Sequence, residues 1–234
     1  MGSARHLLEI TNLLPEKSFH SGHARGFNCC LNAGLEVGSV TLIHMVNPEM
    51  ESIQIRRGVL EDAAALAELA ARTFAEAFAV DNTPEDLQAH LESSYGLAQQ
   101  SRELSDPNEI TLLAFAGDRL IAFAQVRRNV PPACVTQAQA IEVHRFYVDR
   151  IAHGKGVAQA LMMAVESAAK EFDAGHLWLS AWERNPRAVA FYTKMGFEIV
   201  GSADFVVGSD VQTDHIMVAP LRFENPTKTA AFGN

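Results

Sequence analysis

The chain has too few cysteines for a disulfide framework. Of its three, Cys29 and Cys30 are adjacent and Cys134 stands alone far downstream, so reduced thiols and a cytoplasmic setting are the expectation. No run of about 18 apolar residues occurs, which excludes a membrane-spanning helix, and no continuous apolar signal segment opens the chain. Basic excess is also missing. Nineteen Lys and Arg stand against 28 Asp and Glu, a formal net charge of −9, and nonspecific nucleic-acid binding needs the opposite balance. Neither the three-glycine dinucleotide fingerprint nor a GxxxxGK[ST] phosphate loop is present. The histidine–cysteine group His20, His23, Cys29 and Cys30 lacks the spacing of a tetrahedral site, and no metal is expected.

What is present is 48% hydrophobic sequence in 234 residues, enough for one packed domain. Residues 1–51 hold no sustained period and read as an N-terminal extension, poorly ordered. The domain reads from 52 to 221, and 222–234 as a flexible tail. Ile53 and Ile55 alternate with polar residues as a first strand. An alanine-rich helix runs from Glu61 to about Ala79, with Leu66, Leu69, Ala70 and Phe74 on one side. Thr83-Pro84-Glu85-Asp86 reads as a helix cap and first turn, and 97–104 as a further short helical segment. A hairpin turns at Gly117-Asp118-Arg119. Residues 129–139 read as a loop holding Cys134. A strand over 141–148, a helix to about Phe172, a strand over 176–181 and a helix from Asn185 to Gly196 follow. Two strands close the domain, the first irregular beyond Val200. This order gives an α+β fold: a mixed, mostly antiparallel central sheet flanked by helices.

Two stretches carry chemistry. The first is the turn after the central strand, His153-Gly154-Lys155-Gly156-Val157-Ala158. Two glycines let a ligand approach the backbone. The first turn of the following helix offers unpaired N–H groups at the positive end of a dipole, which suits an anion and above all a phosphate. A plain strand-to-helix turn needs the same glycines, so the turn alone leaves both readings open. The second stretch is Asn185-Pro186-Arg187-Ala188-Val189-Ala190-Phe191-Tyr192-Thr193-Lys194-Met195-Gly196-Phe197. Asn185 is a good N-cap and Pro186 a good first helical residue. Ala188, Phe191 and Met195 share one face, and Asn185, Val189 and Tyr192 a neighbouring one.

With both stretches in view, the chain resembles the GNAT superfamily of N-acetyltransferases. That family carries a [Gln/Arg]-x-x-Gly-x-[Gly/Ala] loop, in register here with His153 to Ala158. His153 departs from the pattern at its first position. The helix pattern Asn-x-x-Ala-x-x-Phe-Tyr-x-x-x-Gly-Phe is matched in full from Asn185 to Phe197. A narrower resemblance, to the spermine/spermidine acetyltransferase (PaiA-like) branch, rests on Phe146-Tyr147-Val148, on Trp178 to Glu183 and on Gly208 to Asp214.

The resemblance implies a GNAT fold, acetyl-CoA as cosubstrate, and direct transfer of its acetyl group to a primary amine. The acceptor it implies is a small amine or polyamine, with a protein or peptide acceptor, or a non-catalytic CoA-binding module, as alternatives. It implies that His153, Gly154, Lys155, Gly156, Val157 and Ala158 hold the CoA diphosphate, that Val148 meets the developing oxyanion or the pantetheine, and that Asn185 and Tyr192 border the cofactor. Tyr192 is the implied acid for the leaving thiolate and Glu142 the base for the amine, with His144 as an alternative base. Glu183 is a candidate for holding a cationic acceptor. Cys134, in a loop without a partner, is not expected to act as a nucleophile. A homodimer through an edge strand is compatible with such a sheet.

Overall fold

The structure is a computed structural model that describes residues 43–45, 52–79, 82–207 and 210–221. The cluster of His20, His23, Cys29 and Cys30 lies outside the described residues, as does most of the N-terminal extension. One short piece of that extension is described. Ile43–Met45 forms β1 and pairs antiparallel with β2 (Ile53–Arg57), so the sheet runs one strand further than the sequence suggests.

Three helices follow β2. In α1 (Ala63–Phe78) the residues Leu66, Leu69, Ala70, Thr73, Phe74 and Phe78 are buried at helical spacing. The α2 helix (Pro84–Tyr95) starts at Thr83, whose hydroxyl accepts the Asp86 N–H at 3.2 Å, and Pro84 supplies a preset first turn. Gly96 then separates α2 from α3 (Leu97–Leu104). The hairpin β3 (Glu109–Ala116) and β4 (Arg119–Arg127) leads to β5 (Ala140–Val148). Beyond it come α4 (Val157–Lys170), β6 (His176–Trp182), α5 (Pro186–Lys194), β7 (Glu198–Val207) and β8 (Asp210–Pro220).

The sheet order is β1-β2-β3-β4-β5-β6-β8-β7. Among the described residues only β5 and β6 pair in parallel, as a crossover through α4 requires. β8 slots between β6 and β7, antiparallel to both. Two apolar layers cover the sheet. One joins α4 and α5 to Val143, Phe146, Val148, Leu179 and Ala181. The other joins α1 and α2 to Leu113, Phe123, Tyr147 and Trp182.

Two local departures position the site. Gln125 pairs with Arg145 but Val126 pairs with Val143, so His144 is an extra residue in β5. Such a bulge bends its strand and strengthens the local twist. It also resets the alternation. Val143 and Phe146 face α4, while Arg145 and Tyr147 face α1 to α3. Immediately before the bulge β5 loses β6. Their pairing covers only Ala140, Ile141 and Glu142 against His176, Leu177 and Trp178. From there the two strands splay, while β6 stays paired to β8 along its full length.

Candidate active site

The splay leaves a wedge between the C-terminal halves of β5 and β6. Which backbone groups line it follows from the register. The Asp149 N–H donates to the Ile121 carbonyl at 2.8 Å, making that pair a hydrogen-bonded one. The adjacent pair, Val148 with Ala122, is then a non-hydrogen-bonded pair. Val148 therefore turns its N–H and C=O away from β4 and towards the wedge. By the same alternation Phe146, opposite Ala124, does so too. A strand edge with open N–H and C=O groups can receive an extended amide chain as if it were another strand.

The end of β5 is held firmly. Asp149 is 1% exposed and caps a short 3-10 turn over Arg150–Ala152, accepting the Ile151 N–H at 3.2 Å. Its Oδ2 also receives Arg72 of α1 at 2.8 Å and Arg119 of β4 at 3.3 Å. Burial pushes the Asp149 carboxyl up, but hydrogen bonds from Arg72 and Ile151 and the charges of Arg72 and Arg119 prevail and leave it below the usual carboxylate range. Sequence pattern gave no sign of this clamp, because Arg72 lies 77 positions away.

The turn then opens towards the wedge. Gly154 and Gly156 have φ of 72° and 80°, values that cost a residue with a Cβ about 1–2 kcal/mol. A Cβ built on either glycine meets nothing within 4 Å. Open space stands over them at the N-terminus of the 14-residue α4, and we call this opening the glycine cradle. The first N–H with an intrahelical partner is that of Ala160, bonded to the Gly156 carbonyl at 3.0 Å, so the N–H groups of Val157, Ala158 and Gln159 face the cradle unclaimed by the helix. This donor set and the helix dipole fit a diphosphate. Lys155 is exposed at its rim. Arg150 and Arg187 add positive potential, both close enough to lower the basicity of His153.

His153 folds back instead of reaching outward. Its Nε2 lies 2.9 Å from the Val148 carbonyl. Because a carbonyl only accepts, Nε2 carries the proton. Burial lowers the His153 pKa, and the bond to Val148 only partly offsets this. The ring ties the turn to the backbone lip of the wedge.

α5 closes the wedge from the α4 side. Asn185 Oδ1 accepts the Ala188 N–H at 3.0 Å and so starts the helix. Tyr192, two turns on, is fully buried in the apolar layer that includes Phe146 and Val148 of β5 with Leu179 and Ala181 of β6. Its ring stands edge-on to Phe146 at 6.3 Å and to Phe197 at 5.7 Å. On the opposite face an aromatic arc spans the wedge. Tyr147 meets Tyr95 through their hydroxyls at 3.1 Å. Tyr95 packs on Phe74, Phe74 on Phe78, and Phe78 on Trp182, at 5.1, 4.3 and 5.8 Å between rings.

The other sequence-predicted residues are placed differently. Glu142 sits at the apex, opposite Trp178, where β5 and β6 still pair. Its Oε2 accepts Arg127 Nε at 2.6 Å and Asn129 Nδ2 at 2.8 Å, and its Oε1 faces His144 Nδ1 at 3.9 Å. Six residues of strand, about 20 Å, separate it from Val148. His144 is fully buried, and burial together with the charges of Arg145 and Arg127 holds it neutral, its pKa well below the ordinary histidine value. Glu183 is exposed just past β6. Cys134 packs against Gly201 of β7 in a separate apolar cluster. Among the described residues no group of three His, Cys, Asp or Glu could hold a metal, and no helix is long and apolar enough to cross a membrane.

Comparison with known proteins bears on this geometry. The sequence model of the acetyltransferase (GNAT) family matches residues 65–197. An uncharacterized N-acetyltransferase of Mycobacterium tuberculosis is 32% identical over 162 residues, covering 69% of this chain and 99% of its own. A second uncharacterized N-acetyltransferase, from Lactobacillus delbrueckii, is 26% identical over 149 residues, 64% of this chain and 86% of its own. Among solved structures, the PaiA N-acetyltransferase of Thermoplasma acidophilum in complex with coenzyme A shares the fold. Its TM-score is 0.60 at 24% identity, over 72% of this chain and 99% of that one.

Proposed function

The chain belongs to the acetyltransferase (GNAT) family, and on that premise we propose that it moves an acetyl group from acetyl-CoA directly to the primary amine of a small molecule, in the wedge between β5 and β6. The carrying observation is the loss of β5–β6 pairing after Glu142, which leaves Val148 and its N–H on an open strand edge beside the glycine cradle. A match to the family by sequence and by fold makes acetyl-CoA the cosubstrate, and the thioester supplies an activated carbonyl carbon with a thiolate as leaving group.

The chain's residues divide the work. The N–H groups of Val157 and Ala158, with Gly154 and Gly156 keeping the approach clear and Lys155 at the rim, bind the diphosphate. Val148 presents its N–H to the oxygen that becomes negative as the amine nitrogen attacks the carbonyl carbon. His153 fixes the Val148 carbonyl, and with it the next peptide plane, Val148–Asp149. Asn185 holds the start of α5, which carries Tyr192 into the wedge. As the C–N bond forms and the C–S bond breaks, Tyr192 gives its phenolic proton to the departing sulfur. The proton lost by the amine passes to Glu142. With about 20 Å of strand between Glu142 and Val148, that transfer runs through water, and neutral His144 lies beside its end point.

The test is release of free thiol from acetyl-CoA with an acceptor panel of spermidine, spermine, amino acids and short peptides. Release with the small amines supports the reading. Release with peptides alone replaces the acceptor class. CoA binding without release from any acceptor overturns the catalytic reading.

A further inference from the structure

An arginine stands fully buried in the middle of the sheet. Arg145 of β5 is 0% exposed, and groups from three other elements hold its guanidinium. Nη1 donates to Glu103 Oε2 of α3 and, at 2.6 Å, to Gln125 Oε1 of β4, while Nη2 donates to the Ser94 carbonyl of α2 at 3.1 Å. Gln125 Nε2 donates to Glu103 Oε2 at 3.0 Å, and Gln99 Nε2 to Glu103 Oε1 at 2.6 Å. The Tyr95 ring covers the guanidinium at 4.8 Å. A buried ion pair replaced as a whole by apolar side chains of similar volume often leaves stability unchanged or raised. Stability alone therefore does not account for this network, and the best-attested use of such groups is to fix register.

The place of Arg145 in the ladder shows which register. Gln125 with Arg145 is the last cross-strand pair before the pairing shifts at His144. On the other side of the shift, Val143 faces the apolar layer of α4. Unbroken alternation from Val143 would send Arg145 and Tyr147 into that layer, and Phe146 and Val148 out of it. The layer is built of apolar side chains, and a guanidinium placed there is a charge without a partner. The network accepts Arg145 only on the face of α1 to α3, so the extra residue has to fall before it. A methionine at this position suits either face and lets the extra residue travel along β5. Travel beyond position 145 turns the N–H and C=O of Phe146 out of the wedge. Asp149, clamped by Arg72 and Arg119, holds the far end of the segment. Arg145 holds the near end.

We propose that Arg145 is a positioning residue: it pins the extra residue of β5 at His144 and so keeps the backbone of both Phe146 and Val148 turned into the wedge, where the pantetheine arm of CoA lies. The inference rests on the wedge being the transfer centre. Arg145 acts through the backbone of the three residues that follow it. The glycine cradle lies beyond the Asp149 clamp, so the nucleotide end of CoA and its arm respond differently to loss of the network.

The variant Glu103→Leu, Gln125→Leu, Arg145→Met replaces the network as a unit. Calorimetry reads it with two ligands: CoA, and 3′-phospho-ADP, which is the nucleotide of CoA without the pantetheine arm. Tm should stay within about 5 °C of wild type. CoA affinity should fall at least about tenfold, and 3′-phospho-ADP affinity should stay within about twofold. A merely structural role lowers Tm and both affinities together, and that result overturns the proposal. Hydrogen exchange of the wild type by NMR needs no variant. Arg145 and Tyr147 form hydrogen-bonded pairs with Gln125 and Phe123, so their amides should exchange at least about 100-fold more slowly than those of Phe146 and Val148. Similar rates at all four mean a wandering bulge and overturn the pin. A wild-type preference for CoA over 3′-phospho-ADP that survives in the variant sinks Arg145 alone. Equal wild-type affinity for the two ligands sinks the wedge as the place of the arm, and the transfer site with it.

Discussion

At the scale of the residue, Tyr192 is the side chain on which the chemistry most depends. Tyr192→Phe keeps the ring that packs on Phe146 and Phe197 and deletes only the proton donor. Its kcat should fall about 100-fold, with the KM for acetyl-CoA unchanged. Steady-state kinetics of thiol release decide it, and a kcat within twofold of wild type would remove Tyr192 from the reaction. The conformations of Asn185 and the turn glycines were legible from sequence because each is set by local chemistry: a cap, a first-turn proline, a glycine with positive φ. The role proposed for Tyr192 came with the family resemblance alone. His153 was legible only as a departure from pattern. Its fold-back onto Val148 depends on the 3-10 turn between them, which Asp149 caps. Glu142 was legible as a carboxylate on the central strand. That Arg127 and Asn129 hold one of its oxygens was not, because the bulge in β5 sets which β4 residue stands opposite Glu142, and Asn129 follows just past the end of β4. Arg145 hid its role most completely. A fully buried arginine in a central strand makes sense only with Glu103, Gln125 and the Ser94 carbonyl around it, and Glu103 lies 42 positions away.

At the scale of the element, a bulge and an open glycine turn shape the site. The bulge at His144 shifts Phe146 and Val148 to the α4 face, and strict alternation read from sequence assigns those two residues the wrong side. The strand itself was evident. The bulge was not, since nothing in Val143-His144-Arg145 marks an extra residue. Two glycine positions make the elements testable. Gly156→Val places a branched side chain at φ of 80° and fills the open cradle. CoA affinity by calorimetry should drop at least about tenfold, while far-UV circular dichroism stays that of the folded chain. Unchanged affinity would move the diphosphate elsewhere. Gly201 is different in kind. It lies at the irregularity of β7, and a Cβ there would stand 2.7 Å from Cys134 Cβ and 2.8 Å from its Sγ. Gly201→Ala should cost about 1–3 kcal/mol in urea unfolding, and Gly201→Ala combined with Cys134→Gly should recover most of it. No loss in the single variant would mean that the 129–139 loop gives way freely.

At the scale of the whole molecule, the fold class and the succession of elements from residue 52 onward were readable because hydrophobic period and turn residues agree along the chain. The insertion of β8 between β6 and β7 was not, because strand neighbours in a sheet depend on long-range pairing that period does not encode. Buried titratable groups make stability depend on pH with a definite sign. Burial and neighbouring Glu183 push Asp214 up to about 7, and burial with Glu103 foremost among its charged neighbours pushes Glu109 up to about 8. Each carboxyl favours the folded state fully below its unfolded pKa, and that contribution is lost as pH rises through the folded value. Burial and the charge of Arg145 lower His90 to about 4, which makes stability rise with pH from there to the unfolded histidine value. The two effects oppose each other in acid, and only the carboxyls remain above about pH 6.5. Tm should therefore fall between pH 6.5 and 8.5, and the double variant Asp214→Asn, Glu109→Gln should flatten that fall. A rising wild-type Tm over this window would contradict the raised proton affinity of both groups. The central claim, direct acetyl transfer in the wedge, is tested most directly by mass spectrometry of one reaction containing acetyl-CoA, spermidine and the protein. The account predicts one acetyl group on the amine, stoichiometric free CoA and no acetyl on the protein. Acetyl retained on the chain, or CoA bound with no acetylated amine from any acceptor of the panel, would contradict it.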